Sequence, residues 1–238
     1  MANEVSEVKA ESEREPEPTR LALVLMARRP APGKVKSRLA EAVGDEAACE
    51  IYGAMAADTW QTMRSLGLPC YLATDGNGSA WLPGAARVLR QAHGSFGTRL
   101  MAVLGDMTHR GYRGAIALAA DTPHLGARLI VRAADAVAAQ EAQVVSYPVE
   151  DGGLALLGLD LPSPLDLEGL PWESARLDRA LRERSDGLRS LRLGPALYDV
   201  DTLDDLRRLL GEPEGVRRRC PLTIACGRRA LSGRRPVS

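Results

Sequence analysis

The chain has 238 residues, 45% of them apolar, which is enough for one sizeable core. Lysine plus arginine number 31 and so do aspartate plus glutamate, so no net positive charge is available to hold DNA or RNA non-specifically. With a single phenylalanine and 4% aromatic residues the chain also lacks the means to stack a run of exposed bases, and any basic site must be local.

Cys49, Cys70, Cys220 and Cys226 show no CxxC pairing, and they read as small apolar residues of a reducing compartment rather than as zinc ligands. No apolar run nears the roughly 20 residues of a membrane span, and the acidic N-terminus is unlike a signal peptide. The expectation is a cytoplasmic protein with no membrane span.

Residues 1–20 are rich in Glu, Ser and Pro, the composition of a disordered acidic leader. Leu21 to Ala27 is a continuous apolar run of strand length, as in a central parallel strand buried on both faces. It leads into "RRPAPGKVKSRL" (28–39), where two prolines and a glycine make a continuous helix improbable. If this stretch is extended, Lys34, Lys36 and Arg38 project from one side as a three-pronged cationic face, and Gly33 lets the backbone approach an anion. Neither GxxxxGK[ST] nor GxGxxG is present, so a phosphate cradle and a solvated loop both remain open on composition.

Residues 44–67 predict an amphipathic helix with Ala47, Ile51, Ala54 and Met63 along one stripe. Strands are expected at 70–74 and 86–91, separated by the turn "DGNGS", then a helix over 96–111. "GAIALAAD" (114–121) reads as a buried strand ending on an acid, followed by a helix over 127–140, strands over 142–149 and 154–159, and a helix over 173–184. A short strand over 188–193 and a helix over 202–210, capped by Thr202, complete the core. Residues 212–238 read as a flexible, Arg-rich basic tail. Strand and helix in alternation over 21–211 imply one three-layer α/β/α domain around a mostly parallel sheet.

Ligands of such sheets lie at the carboxyl ends of the strands. Beyond the cationic stretch, three such loops carry unusual residues. Asp121 follows a buried strand, where it could hold a divalent cation or cap a helix. Glu150, Asp151, Gly152 and Gly153 form either a hairpin turn or a place where a substrate passes close to the backbone. Asp199 and Asp201 stand just before a helix, as an N-cap or as further metal ligands.

The segments "LMARRPAPGKVKSRL", "AADTPHL", "VEDGGLALLGL", "PWESARL" and "DVDTLDDL", in that order, resemble a large family of bacterial glycosyltransferase-A-like transferases. This is the radical-SAM- and selenodomain-associated transferase type, with the nucleotide-diphospho-sugar transferase fold. "KVKSRL" also looks like the substrate loop of the 2-phospholactate guanylyltransferase and molybdenum-cofactor nucleotidyltransferase group. The resemblance implies a GT-A-like fold and a nucleotide-dependent transferase. Lys34, Lys36 and Arg38 would face the phosphates with Ala27, Pro32 and Gly33 beside them, and Asp121 with Asp201 or Asp199 would hold Mg²⁺ or Mn²⁺. Catalysis would rest on Lys34, Lys36, Arg38 and Asp121, while Glu150, Asp151, Gly152, Gly153 and Trp172 would line the acceptor pocket.

Two segments depart from the family pattern that the resemblance implies: Ala119, Ala120 and Thr122 surround Asp121 where Gly, Ser and Cys are usual, and Leu154 stands where an aromatic is usual. The leading expectation is nucleotidyl transfer from a nucleoside triphosphate to a small phosphorylated or acidic acceptor. Glycosyl transfer from a nucleotide sugar is the alternative, and a non-catalytic nucleotide-binding homologue the third reading. The expected partners are the nucleotide and a small-molecule acceptor, with no nucleic acid and a homodimer allowed.

Overall fold

A computed structural model describes residues 21–76, 79–172 and 174–232. The acidic leader (1–20), residues 77–78 of the "DGNGS" turn, Glu173 at the expected start of a helix and the last six residues of the basic tail lie outside the described residues.

Among the described residues seven strands form one sheet: β1 (Leu21–Met26), β2 (Cys70–Thr74), β3 (Val88–Arg90), β4 (Gly114–Ala119), β5 (Val144–Pro148), β6 (Leu154–Asp160) and β7 (Ser190–Arg192). Their order is β3-β2-β1-β4-β6-β5-β7, and only β6 runs against its neighbours. The helices are α1 (Ser37–Val43), α2 (Asp45–Arg64), α3 (Phe96–His109), α4 (Ala127–Ala138), α5 (Leu177–Arg184), α6 (Leu203–Gly211), α7 (Glu214–Arg217) and α8 (Pro221–Ser232).

All six residues of β1 are buried, because the pleat sends alternate side chains into two cores. Leu21, Leu23 and Leu25 pack with Ile51 and Met55 of α2, Ile130 and Val137 of α4 and Leu206 of α6. Ala22, Val24 and Met26 pack with Leu100, Val103 and Leu104 of α3 and with Leu167 and Leu177. This is the expected three-layer α/β/α arrangement. The hairpin reading of 149–153 also holds as local structure: the Gly152 N–H donates to the Val149 carbonyl at 3.0 Å between β5 and β6.

Three expectations need correction. The cationic stretch is not extended through Arg38, because Leu39 is drawn fully into the core by a short helix, α1, that begins at Ser37. Lys34 instead closes a turn, its N–H donating to the Ala31 carbonyl at 3.0 Å, and Lys36 sits in the left-handed region at φ 51°. The three side chains therefore do not project in parallel.

The basic tail is not a solvated appendage as far as Ser232. Cys220 and Thr223 are fully buried, and α8 docks on α2. Asp58 of α2, itself buried, accepts hydrogen bonds from the Leu222 N–H (3.1 Å), the Thr223 N–H (2.8 Å) and Thr223 Oγ1 (2.7 Å). It satisfies the orphan donors of α8 from another helix, and so the folded unit extends beyond residue 211. On α2 itself Ala48, not Ala47, is fully buried. Among the described residues no helix is long and apolar enough to cross a membrane.

Candidate functional site

A cleft of 690 Å³ opens where β1 and β4 end. One wall is the segment after β1, contributing Ala27, Gly33, Lys34, Lys36 and Arg38. Asp121 follows β4, and Asp199 and Asp201 follow β7. A backbone hydrogen bond from the Val200 N–H to the Asp121 carbonyl, 2.9 Å, fixes these two acid-bearing segments side by side. The Thr202–Asp205 capping box at the start of α6 holds the second of them, with Asp205 Oδ2 also accepting from the Asp201 N–H at 3.2 Å.

Carboxylate oxygens of Asp121, Asp199 and Asp201 all lie within 4.8 Å of one another. The Lys36 amine lies among them, donating to Asp121 Oδ2 at 3.0 Å and to Asp201 Oδ1, while Arg38 bonds Asp201 Oδ2. The Lys36 side chain is only 8% exposed. Burial opposes its charge, but Asp121 and Asp201 outweigh burial and hold its pKa well above the usual lysine range. Burial likewise opposes charge on Asp201, and Lys36 and Arg38 reverse that effect, keeping its pKa below the usual carboxylate range. Asp199 lacks such compensation: burial first, then Asp201, Asp151 and Asp121, push it up to about 6 despite Lys36.

The other end of the cleft is formed by Asp151, Gly153 and Trp172, together with Phe96, Leu154 and Leu177. Glu150, Gly152 and Pro32 are not in its wall. Glu150 turns outward to a two-pronged pair with Arg208 at 2.7 and 2.8 Å, because Arg208 lies on the outer side of α6. Gly152 faces the backbone of Ala175 instead.

Tyr52, Gln91 and Arg99 also line the cleft and escaped the sequence reading. Tyr52 accepts a hydrogen bond from the Arg28 N–H at 2.9 Å, and burial, then Asp121, push its hydroxyl up to about 12. A tyrosine on the buried stripe of a helix reads as core, so periodicity gave no signal. Gln91 donates to the Ala73 carbonyl at 2.7 Å and accepts from Arg99 at 2.7 Å, links between β2 and α3 that only the folded chain creates. Arg29 also acquires a place: its N–H donates to Asp75 Oδ1 at 2.8 Å and its guanidinium to Ser79 at 2.7 Å, tying the cationic segment to the loop after β2.

A mostly parallel sheet with one reversed strand, a cationic segment after β1 and an acid after β4 define a GT-A-like, nucleotide-diphospho-sugar transferase-type fold. The chain belongs to the family DUF2064, described as an "uncharacterized protein conserved in bacteria", which matches residues 38–174. Among solved structures it is similar to a candidate nucleotide-diphospho-sugar transferase from Desulfovibrio desulfuricans G20. The two are 25% identical with a TM-score of 0.77, over 90% of this chain and 96% of that one.

It is also similar to Rv0371c from Mycobacterium tuberculosis H37Rv, solved in complex with manganese, at 19% identity and a TM-score of 0.53 over 82% and 100% of the two chains. A cytidylyltransferase from Leptospira borgpetersenii matches at 11% identity and a TM-score of 0.50 over 92% and 99%. The last two are likenesses of fold alone. No curated protein matches the chain. The expected fold is thus the one found, and the Desulfovibrio likeness supports the expected class of enzyme, a transferase.

Proposed function

We propose that the protein is a divalent-metal-dependent nucleotidyltransferase that activates a small phosphorylated or acidic acceptor with release of pyrophosphate. The observation that carries this reading is the meeting, in one cleft, of a cationic segment and three carboxylates whose oxygens lie within 4.8 Å of one another. Three hard oxygen donors suit Mg²⁺ or Mn²⁺, and the Lys36 amine bonded to two of these carboxylates is itself a cation in that surrounding. Asp121, Asp199 and Asp201 would hold the metal. When bound, it supplies neutralisation of triphosphate charge and polarisation of the phosphorus.

Lys34 and Arg38, both exposed at the cleft wall, would bind β- and γ-phosphate oxygens, Arg38 and then Lys36 leaving the Asp201 and Asp121 carboxylates to do so. An acceptor oxyanion then attacks the α-phosphorus. The new P–O bond forms as the bond to the bridging oxygen breaks, and pyrophosphate departs with the electron pair, its charge met by these cations. No proton has to move when the nucleophile is a phosphate or carboxylate, so positioning and electrostatics supply the rate.

The test is pyrophosphate release with each of four nucleoside triphosphates over a panel of phosphate and carboxylate acceptors. Turnover in the wild type and its loss in Asp121→Ala are expected. If no nucleotide raises the melting temperature with or without divalent metal, the reading falls. Nucleotide binding without any product would instead favour a non-catalytic homologue.

The likeness to the Desulfovibrio protein favours a second reading, glycosyl transfer from a nucleotide sugar. There Asp151, which lines the cleft beside Gly153, would serve as the acceptor's base. Release of UDP or GDP in place of pyrophosphate distinguishes it.

A further inference from the structure

The cleft has two unlike halves. Against the lysines and aspartates stands an end floored by Leu100, Leu157 and Leu177, each no more than 3% exposed, and rimmed by half-buried Phe96, Leu154 and Trp172. The Phe96 and Trp172 rings lie 4.8 Å apart, tilted by 56°. The indole N–H of Trp172 donates to the Leu167 carbonyl at 3.1 Å, so its polar atom is satisfied within the wall, while Asp151 and Gly153 stand beside this apolar rim.

The seat is held in shape by two close approaches. A Cβ on Gly97 of α3 would stand 2.3 Å from the Leu167 carbonyl oxygen and 2.7 Å from the Trp172 indole nitrogen. A Cβ on Gly152, whose φ is 93°, would stand 2.3 Å from the Cα of Ala175. The segment that carries Trp172 is therefore pressed onto α3 at one end and onto the β5–β6 turn at the other.

We infer that the acceptor carries an apolar body, aromatic or branched aliphatic, beside its phosphate or carboxylate, and that Phe96, Leu154 and Trp172 seat that body. The word acceptor rests on the transfer reading above; the seat does not. Half-exposed apolar surface inside a concavity gains roughly 25 cal/mol per Å² when a ligand covers it, a gain that a polar polyol cannot collect.

A nucleobase fits this seat poorly, because it is read through hydrogen bonds at its edge. A cavity of 420 Å³ adjoins the cleft at Gln91 and Arg99, and its wall, which also includes Asp75, Arg90 and His93, carries such groups.

The test uses the full chain without nucleotide and measures binding by ligand-observed NMR. Phenyl phosphate and 3-methylbutyl phosphate are compared with glycerol phosphate and inorganic phosphate. The apolar esters are expected to bind about tenfold or more tightly than glycerol phosphate. Trp172→Ala and Leu154→Ser are expected to erase that preference and Trp172→Phe to keep it, with a cooperative melting transition and wild-type far-UV circular dichroism showing that each variant folds.

Equal affinities in the wild type, or a preference that survives both Trp172→Ala and Leu154→Ser, would overturn the inference. So would displacement of phenyl phosphate by cytidine or guanosine, which would make the seat a base pocket. A preserved ester preference with no nucleotide-induced shift sinks the transfer reading alone, and a nucleotide shift without ester preference sinks the seat alone.

Discussion

Lys36 donates to Asp121 Oδ2 at 3.0 Å and at the same time bonds Asp201, from a backbone held in the left-handed region. A lysine rarely adopts that conformation unless its surroundings fix it, and here two carboxylates from segments remote in sequence do so. The amine offsets the mutual repulsion of three aspartates. In Lys36→Met the fold should persist but lose about 2 kcal/mol, less than a fully buried pair would, because Asp121 keeps 33% of its side chain exposed. In metal-free buffer the melting temperature should fall by roughly 4–8 °C, and Mn²⁺ should raise it more in the variant than in the wild type. An unchanged metal-free melting temperature would show that the pairing contributes nothing.

Asp199 has the opposite electrostatic balance. Burial and then its three acidic neighbours raise it from an ordinary value of 3.8 to about 6, so the folded state favours the neutral form. The stability this lends is present below about pH 4 and is lost as pH rises through 6, where the ionised group is held among like charges. Asp199→Asn should therefore raise the melting temperature of the metal-free protein at pH 7.5 by roughly 2–4 °C, corresponding to about 1 kcal/mol after solvent screening of a half-buried group. At pH 4 the gain should vanish. Melting curves at the two pH values check the sign.

The sheet was legible because β1 and β4 are unbroken apolar runs of strand length, α2 has acids in its first turn and an apolar stripe, and α3 is capped by Ser95. The joining of Asp121 to Asp201 was legible only as an ordered set of motifs. Their contact depends on the Val200 to Asp121 backbone bond between segments 79 positions apart, which no local pattern encodes. Helix α1 was hidden by the prolines before it, and its driving residue, Leu39, is one leucine in a charged stretch. The docking of α8 was hidden for a similar reason: its cap is supplied by Asp58, which in α2 looks like an ordinary polar residue of a surface stripe. Glu150 shows the reverse error, an acid beside two glycines that a nearby arginine diverts from the cleft.

His124 supplies a pH dependence of its own. It is 3% exposed, stacks on Tyr198 with ring centroids 4.4 Å apart, and among the described residues has no hydrogen-bond partner for either ring nitrogen. Burial, then Arg219 and Arg208, lower it to about 4 against a small opposing effect of Glu150. The unfolded chain takes up a proton near pH 6.5 while the folded one resists until about 4, so stability present above 6.5 drains away across that window. Between pH 7 and pH 4.5 the wild type should lose about 2 kcal/mol more than His124→Phe, which keeps an aromatic ring against Tyr198. Urea midpoints at the two pH values measure the difference, and parallel losses would contradict it.

Asp58 tests whether the C-terminal helix belongs to the folded unit. Its carboxylate is 1% exposed and accepts three hydrogen bonds at the start of α8, although burial raises its pKa above the ordinary carboxylate range. Asp58→Ala leaves the Leu222 and Thr223 donors without a partner in a buried place, a loss of about 3 kcal/mol, or roughly 6–12 °C in melting temperature. Asp58→Asn keeps an acceptor oxygen and should lose less than half as much. Because the bonds tether α8 to α2, amide exchange in Asp58→Ala should accelerate first over 221–232 and leave β1 and β4 protected. Uniform acceleration across the sheet would mean that the helix and the core unfold as one cooperative unit, and unchanged exchange over 221–232 would show that Ile224 and Cys220, buried beside α2, hold the helix without its cap.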